Sequence, residues 1–268
     1  MSHVTHWVPA HESPRWPPTL SWINLKLPEG WTKTFVRSGA NNPKYAWNEV
    51  CANFLKTDSE WLFSTHSDVV FEPDTLIRLL SWNVPLVSGL IFMRASPVVP
   101  HIWKKYEDTE QYAHRIKDTR DWFFAHKEYI KFGAFLMEPR PDDAIIPIDF
   151  TSTSCTLIHR SVLEAMIPLC GDQWFVMDDD FKGGGEDRRF FELAKEAGFQ
   201  PYVDRSCIVG HLVGDIPTSS ADFIAWDSIS EFHNTGEPEV ESISTFDGTP
   251  DKYSEVGHGM NYDPHEEE

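Results

Sequence analysis

Three short stretches of this chain hold side chains able to act on a bound substrate: His66-Ser67-Asp68, Gly185-Glu186-Asp187 and His211. In the first, two ligating groups one residue apart can converge on one ion where the chain turns. A carboxylate oxygen with an imidazole nitrogen suits Mn²⁺ or a similar divalent cation better than Ca²⁺. The same triplet also reads as a strand-end turn with Asp68 capping backbone amides. In the second, carboxylates open a helix, where the dipole and free amides favour them. The alternative reading is a general base that takes a proton from an attacking hydroxyl. His211 follows an apolar run and reads either as a satisfied structural histidine or as a metal ligand.

These residues need elements to bring them together. Residues 1–35, rich in Pro and Trp, read as irregular segments around short strands. Asn42 then caps a helix with Pro43 at its first position, and Trp47, Val50, Cys51, Phe54 and Leu55 give it one apolar face. Trp61-Leu62-Phe63 reads as a buried strand that stops just before His66. Glu72-Pro73-Asp74 opens a second helix, with Leu76, Ile77, Leu79 and Leu80 expected inward, and Leu86 to Phe92 forms the next strand. Strand–helix–strand alternation predicts an α/β domain with a mixed, mostly parallel sheet flanked by helices. Ligands of such sheets bind at the carboxyl ends of the strands, where His66 and Asp68 fall.

Residues 97–145, charged and aromatic, read as an excursion from the core, and its aromatic part at 103–135 as either a candidate acceptor platform or lid or as peripheral packing. Ile145 to Ile158 reads as strand, and Ser161 with Glu164 as a capping box for a helix that ends before Pro168. A loop from Gly171 to Gly185 contains Trp174-Phe175, Asp178-Asp179-Asp180 and Gly183-Gly184-Gly185. The helix from Glu186 to Ala197 stops at Gly198, and Pro201 to Val209 leads as strand to His211. One domain is expected over 1–230, with 231–268 an acidic tail expected to be flexible.

At 268 residues the chain can bury one large core. Its net charge of −19, with 23 Lys and Arg, argues against a diffuse basic surface for nucleic acid. An anionic ligand such as a nucleoside diphosphate then calls for a bound cation to offset the repulsion. Cys51, Cys155, Cys170 and Cys207 are widely spaced and read as free thiols of a reducing, cytoplasmic compartment. No stretch approaches the ~20 apolar residues of a membrane span, so no membrane partner is expected.

Taken in order, these stretches resemble the GT-A glycosyltransferases, particularly the family-2-like group. Trp61 through Leu76 is similar to that family's strand ending in Asp-x-Asp, and Val87 through Arg94 to its next strand. Thr151 through Arg160, Trp174-Phe175, Glu186-Asp187 with Ala194 through Gly198, and Val203-Asp204 through His211 resemble its later motifs. The resemblance covers roughly residues 45–213.

The resemblance implies a GT-A, Rossmann-like fold and a metal-dependent transfer of a sugar from a UDP- or GDP-sugar to an acceptor hydroxyl, with inversion favoured and retention, found in some relatives of that group, left open. Asp68 matches the metal-binding second Asp of Asp-x-Asp, His66 stands at the first Asp position, and His211 matches a metal-ligating His. Asp187 matches the catalytic base, with Glu186 beside it. Trp174, Asn48, Ser67 and Arg94 are the implied donor or acceptor contacts, Trp174 as a wall for a sugar. Mn²⁺ is favoured over Mg²⁺. The acceptor stays open among proteins, glycans, small molecules and modified DNA bases. A non-catalytic GT-A-like nucleotide or sugar binder is the alternative reading, and a metal-dependent hydrolase ranks behind both.

Overall fold

The computed structural model describes residues 2–9, 15–38, 43–93, 98–105, 112–130, 140–176, 185–214 and 216–229. Arg94, Asn42, the acidic run at 178–180 and the tail 231–268 lie outside them. The chain runs β1 (His3–Pro9), α1 (Trp16–Asn24), β2 (Thr32–Ser38), α2 (Pro43–Leu55), β3 (Trp61–Thr65), β4 (Val69–Val70), α3 (Thr75–Ser81) and β5 (Leu86–Ile91). It continues through β6 (Ile102–Lys105), β7 (Tyr112–His114), α4 (Ile116–Ala125), β8 (Ile145–Pro147), β9 (Phe150–Thr151) and β10 (Cys155–His159). Then come α5 (Arg160–Cys170), α6 (Gly185–Glu196), β11 (Tyr202–Val213), β12 (Ile216–Pro217) and α7 (Ser220–Ile229).

The central sheet has the order β12-β11-β5-β10-β3-β1-β2, with β4 and β8 also paired to β11. β2, β1 and β3 are mutually parallel, and β11 is parallel to β5. β10 lies antiparallel between β3 and β5, so those two also point the same way. The sheet is thus mixed and mostly parallel, in an α/β arrangement consistent with a Rossmann-like fold. A small second sheet, β7-β6-β9, lies beside it.

Side-chain alternation along the strands divides the core between two faces. Trp7, Leu62, Leu86 and Ile158 meet α2, α5 and α6 through Trp47, Phe54, Leu163, Phe190 and Phe191. Their neighbours Val8, Phe63, Val87 and Leu157 face the other way, against Trp22 of α1 and Leu76 and Leu79 of α3. Among the described residues no helix is long and apolar enough to cross a membrane. Cys51, Cys155 and Cys207 are buried free thiols, and Cys170 is half-buried.

The structure corrects several readings. Residues 1–35 are more regular than expected, because Pro17 and Pro18 sit in the first turn of α1, where a missing N–H costs nothing. Trp122, Phe123 and Tyr129 are core rather than excursion: they pack with Phe92, Ile102 and Phe223, while the charged neighbours on α4 face outward. Ile77 is exposed, since α3 turns Arg78 inward, where its guanidinium donates to Ser206 Oγ at 2.8 Å. The 145–158 stretch is three short strands, not one. α5 continues past Pro168 and is capped by His159, whose Nδ1 accepts from Ser161 N–H at 3.3 Å, not by a Ser161–Glu164 box.

Gly89 of β5 shows how tightly the middle of the sheet is packed. A Cβ there would lie 2.7 Å from Val209 Cγ2 and 3.0 Å from the Cys207 carbonyl oxygen, both on β11. Gly89→Ala is therefore expected to cost about 1–3 kcal/mol by overpacking, read as a lowered urea midpoint at unchanged m-value.

Candidate active site

The direction of the strands decides where chemistry can gather. β3, β5 and β11 run the same way, so Thr65, Ile91 and the end of β11 reach one edge of the sheet. β10 runs against them and begins at Cys155, paired with Thr65. The turn Ser152-Thr153-Ser154 that precedes it is thereby delivered to the same edge. Segments far apart in sequence meet there, at the carboxyl ends of the parallel strands.

Asp68 and His211, 143 residues apart, are in contact: His211 Nε2 lies 3.2 Å from Asp68 Oδ2. The backbone holds them in register. His211 pairs with Val69 of β4, and Leu212 N–H donates to the Asp68 carbonyl at 2.8 Å. Gly210, just before His211, permits the close approach of three strands. A Cβ at Gly210 would meet Pro217 Cβ at 2.6 Å and Val70 Cγ2 at 2.8 Å.

The surroundings of His211 restrict what the pair can be. Its Nδ1 lies 3.3 Å from the Phe92 carbonyl oxygen, so both ring nitrogens face oxygens that accept hydrogen bonds. A neutral imidazole has one N–H and can satisfy only one of them. An Nδ1–H donated to the Phe92 carbonyl would leave Nε2 as a donor atom, the usual support of a metal-ligating histidine. Asp68 and His211 are chemically compatible with a divalent cation, which they would hold through one carboxylate and one imidazole nitrogen.

His66 does not join that pair. Its Nδ1 is 3.2 Å from Ser154 Oγ, and its ring stands edge-on to Trp47, with centroids 5.2 Å apart. These contacts turn it toward β10 and α2. Among the described residues no three His, Cys, Asp or Glu side chains are grouped to hold a metal. Ser67 is half-buried in the turn between His66 and Asp68.

Asp187, in the first turn of α6, is held against the β9–β10 turn. Its Oδ1 accepts from Thr153 Oγ1 at 2.5 Å and from Thr153 N–H at 3.3 Å. Burial pushes its pKa up to about 7; the Thr153 hydrogen bonds oppose that rise, and the neighbouring charge of Glu186 adds to it. Desolvation outweighs the helix dipole, which favours the ionised form. Ser152 also hydrogen-bonds Asp187 and contacts Ser154, which in turn reaches His66. The hydroxyl turn thus links the α6 carboxylate to the end of β3.

Sequence reasoning assigned no part to Ser152, Thr153 or Ser154. Its signal was present as four consecutive hydroxyl residues, Thr151 to Ser154, immediately before an apolar strand. Trp174 and Asn48, in contrast, are not exposed contacts. Trp174 is 2% exposed, with its indole N–H donating to the Leu163 carbonyl at 3.0 Å, so neither ring face is open to a sugar. Asn48 is buried and uses its whole amide on Phe175, donating to its carbonyl at 2.8 Å and accepting from its N–H at 2.9 Å. Both residues are taken up by packing, Trp174 against α5 and Asn48 against Phe175.

No family model and no curated protein matches this chain. Among solved structures it is similar to A197 from STIV, with a TM-score of 0.50 at 16% identity, over 82% of this chain and 91% of that one. At that identity the likeness is one of fold.

Asn48→Ala removes both partners of a buried peptide group and is expected to cost about 2–4 kcal/mol. Asn48→Asp keeps the acceptor but turns a carboxylate oxygen on the Phe175 carbonyl in a buried site, and should cost at least as much as Asn48→Ala in chemical denaturation.

Proposed function

We propose that this chain is a GT-A-type glycosyltransferase that moves a sugar from a UDP- or GDP-sugar to an acceptor hydroxyl, with inversion and with help from a divalent cation. The observation that carries the reading is the meeting of Asp68 with His211 at the edge of the sheet where Asp187 is also held. The motif resemblance over 45–213 and a mixed α/β fold shared with A197 from STIV support it.

Asp68 and His211 would hold the cation, with Mn²⁺ favoured by their oxygen and nitrogen donors. A cation there supplies charge neutralisation for the diphosphate leaving group. Asp187 is the proposed base. As a carboxylate it takes the acceptor hydroxyl proton while the oxygen attacks the anomeric carbon from the face opposite the leaving diphosphate. Thr153 and Ser152 fix the carboxyl group by donating to it, and Glu186 lends negative charge that favours the proton's arrival. The raised pKa of about 7 suits this role, because a base near neutrality both ionises and holds a proton well.

Two tests follow from these assignments. Asp68→Ala is expected to abolish Mn²⁺ binding measured by calorimetry and to abolish Mn²⁺-dependent release of nucleoside diphosphate from a panel of donors, without loss of the folded state. Retained Mn²⁺ binding in that variant removes the proposed metal site.

For the base, activity needs the ionised form, so kcat should rise with pH through about 7 and flatten above it. Asp187→Asn is expected to lower kcat by about 10²–10⁴ and to abolish that ascending limb. The stability effect has the opposite sense. The folded protein holds the Asp187 proton more tightly than the unfolded chain, so this contribution is full at low pH and lost as pH rises through about 7. Asp187→Asn should therefore raise Tm relative to wild type above about pH 7 and not below about pH 4.

A further inference from the structure

One surface of the molecule is more apolar than its surroundings require. α1 buries Pro18, Ser21 and Trp22. Its other side carries Trp16, Leu20 and Ile23, at 68%, 39% and 68% exposure. Their i, i+4, i+7 spacing places them in one row along the helix. Arg15 Nη1 donates to the Gly214 carbonyl at 2.9 Å, which brings the β11–β12 hairpin to the start of that row. The hairpin adds Val213, 50% exposed, and Ile216, 73% exposed. On the flank toward β2, Trp22 reaches the exposed Phe35, with ring centroids 5.9 Å apart. Exposed apolar side chains gathered on neighbouring elements in this way mark a place that something covers.

Charge and chain length identify the occupant. Across the chain 42 acids outnumber 23 bases. Residues 15–38, which make up α1, β2 and their connection, reverse that balance: Arg15, Lys26, Lys33 and Arg37 against Glu29 alone. Residues 231–268 have the complementary composition, with eleven Asp and Glu against Lys252. Apolar residues are interspersed among them, including Phe232, Ile243, Phe246, Tyr253 and Met260.

The point of departure is also close. α7 begins at Ser220, four residues beyond Ile216, and its ten residues extend about 15 Å. A random coil with as many residues as 231–268 spans on the order of 35 Å, enough to return to α1. An anionic membrane surface would suit the bases of α1 and β2 but repel the rest of this acidic chain.

We propose that residues 231–268 of this same chain dock on the Trp16–Leu20–Ile23 face of α1 and the Val213–Ile216 hairpin, through apolar anchors framed by acid–base pairs. Val213 is two residues beyond His211, so the covered face borders the edge of the sheet where Asp68 and His211 meet. This inference needs only the surface and the composition, and does not depend on the sugar-transfer reading.

The test uses the full chain with Leu20→p-benzoylphenylalanine, irradiated at low protein concentration and mapped by mass spectrometry. Cross-links from position 20 to peptides within 231–268, at monomer mass, are the expected result. Their yield should fall several-fold in about 1 M salt, where the Debye length is about 3 Å, and also on Lys26→Glu with Arg37→Glu. A second full chain with the probe at Ile23 guards against a local failure at position 20. Cross-links that join two chains, or the absence of any tail peptide at both positions, overturn the proposal. So does co-sedimentation of the full chain with phosphatidylcholine vesicles that leaves no tail cross-link.

Discussion

The reversed strand β10 is the constraint on which the site rests. Had it run parallel to its neighbours, the segment before it would have entered at the opposite edge, and Thr153 could not reach a carboxylate on the His66 side. Running antiparallel, it pairs Cys155 with Thr65 and sets three hydroxyl residues beside the end of β3. The turn then serves both sides, accepting the approach of Asp187 through Thr153 and that of His66 through Ser154. The cost of placing so much polar backbone at a sheet edge is offset by these side-chain hydrogen bonds.

A second constraint acts at β11. This strand is parallel to β5 from Tyr202 to Val209, with a register shift between Asp204 and Ile208, and beyond that pairs with β4 and β12. The shift lets one strand take part in the core sheet and still turn His211 toward Asp68. Asp204, fully buried at the start of the shift, accepts from Trp82 Nε1, from Ser206 N–H and Oγ, and from Arg140. A buried carboxylate with so many donors fixes the backbone where the register changes. The geometry of the Asp68–His211 pair is therefore set from below, by a polar knot well away from it.

Much of this was legible in the sequence where hydrophobic spacing was strong. The helical face from Trp47 to Phe54, the strand at Trp61–Phe63 and the helix after Gly185 all formed as their patterns predicted, because each buries an apolar row. The strand-end rule placed Asp68 at the mouth of the sheet, and the motif resemblance, not spacing, pointed to His211 as its partner. What spacing could not reveal was orientation. Trp174 and Asn48 sit in a motif that resembles an acceptor-side segment, yet an indole N–H and a carboxamide are also good partners for buried carbonyls, and here packing took them. His66 stands in a ligand's position in the motif but is drawn aside by Ser154, a partner supplied by a strand whose direction no local pattern encodes. The aromatic residues of α4 were misread because charged neighbours obscured a two-residue apolar face.

The electrostatics of the site divide the labour between its two carboxylates. Asp68 faces an imidazole. Asp187 faces only hydroxyl and amide donors, with another acid beside it, and its burial dominates. Two aspartates that would titrate alike in water are thereby separated in role by their environments. Desolvation raises the Asp187 pKa to about 7, whereas Asp68 is set apart by its contact with His211. What the surroundings offer thus differs between the two: an imidazole for Asp68, and hydroxyl and amide donors beside a second acid for Asp187.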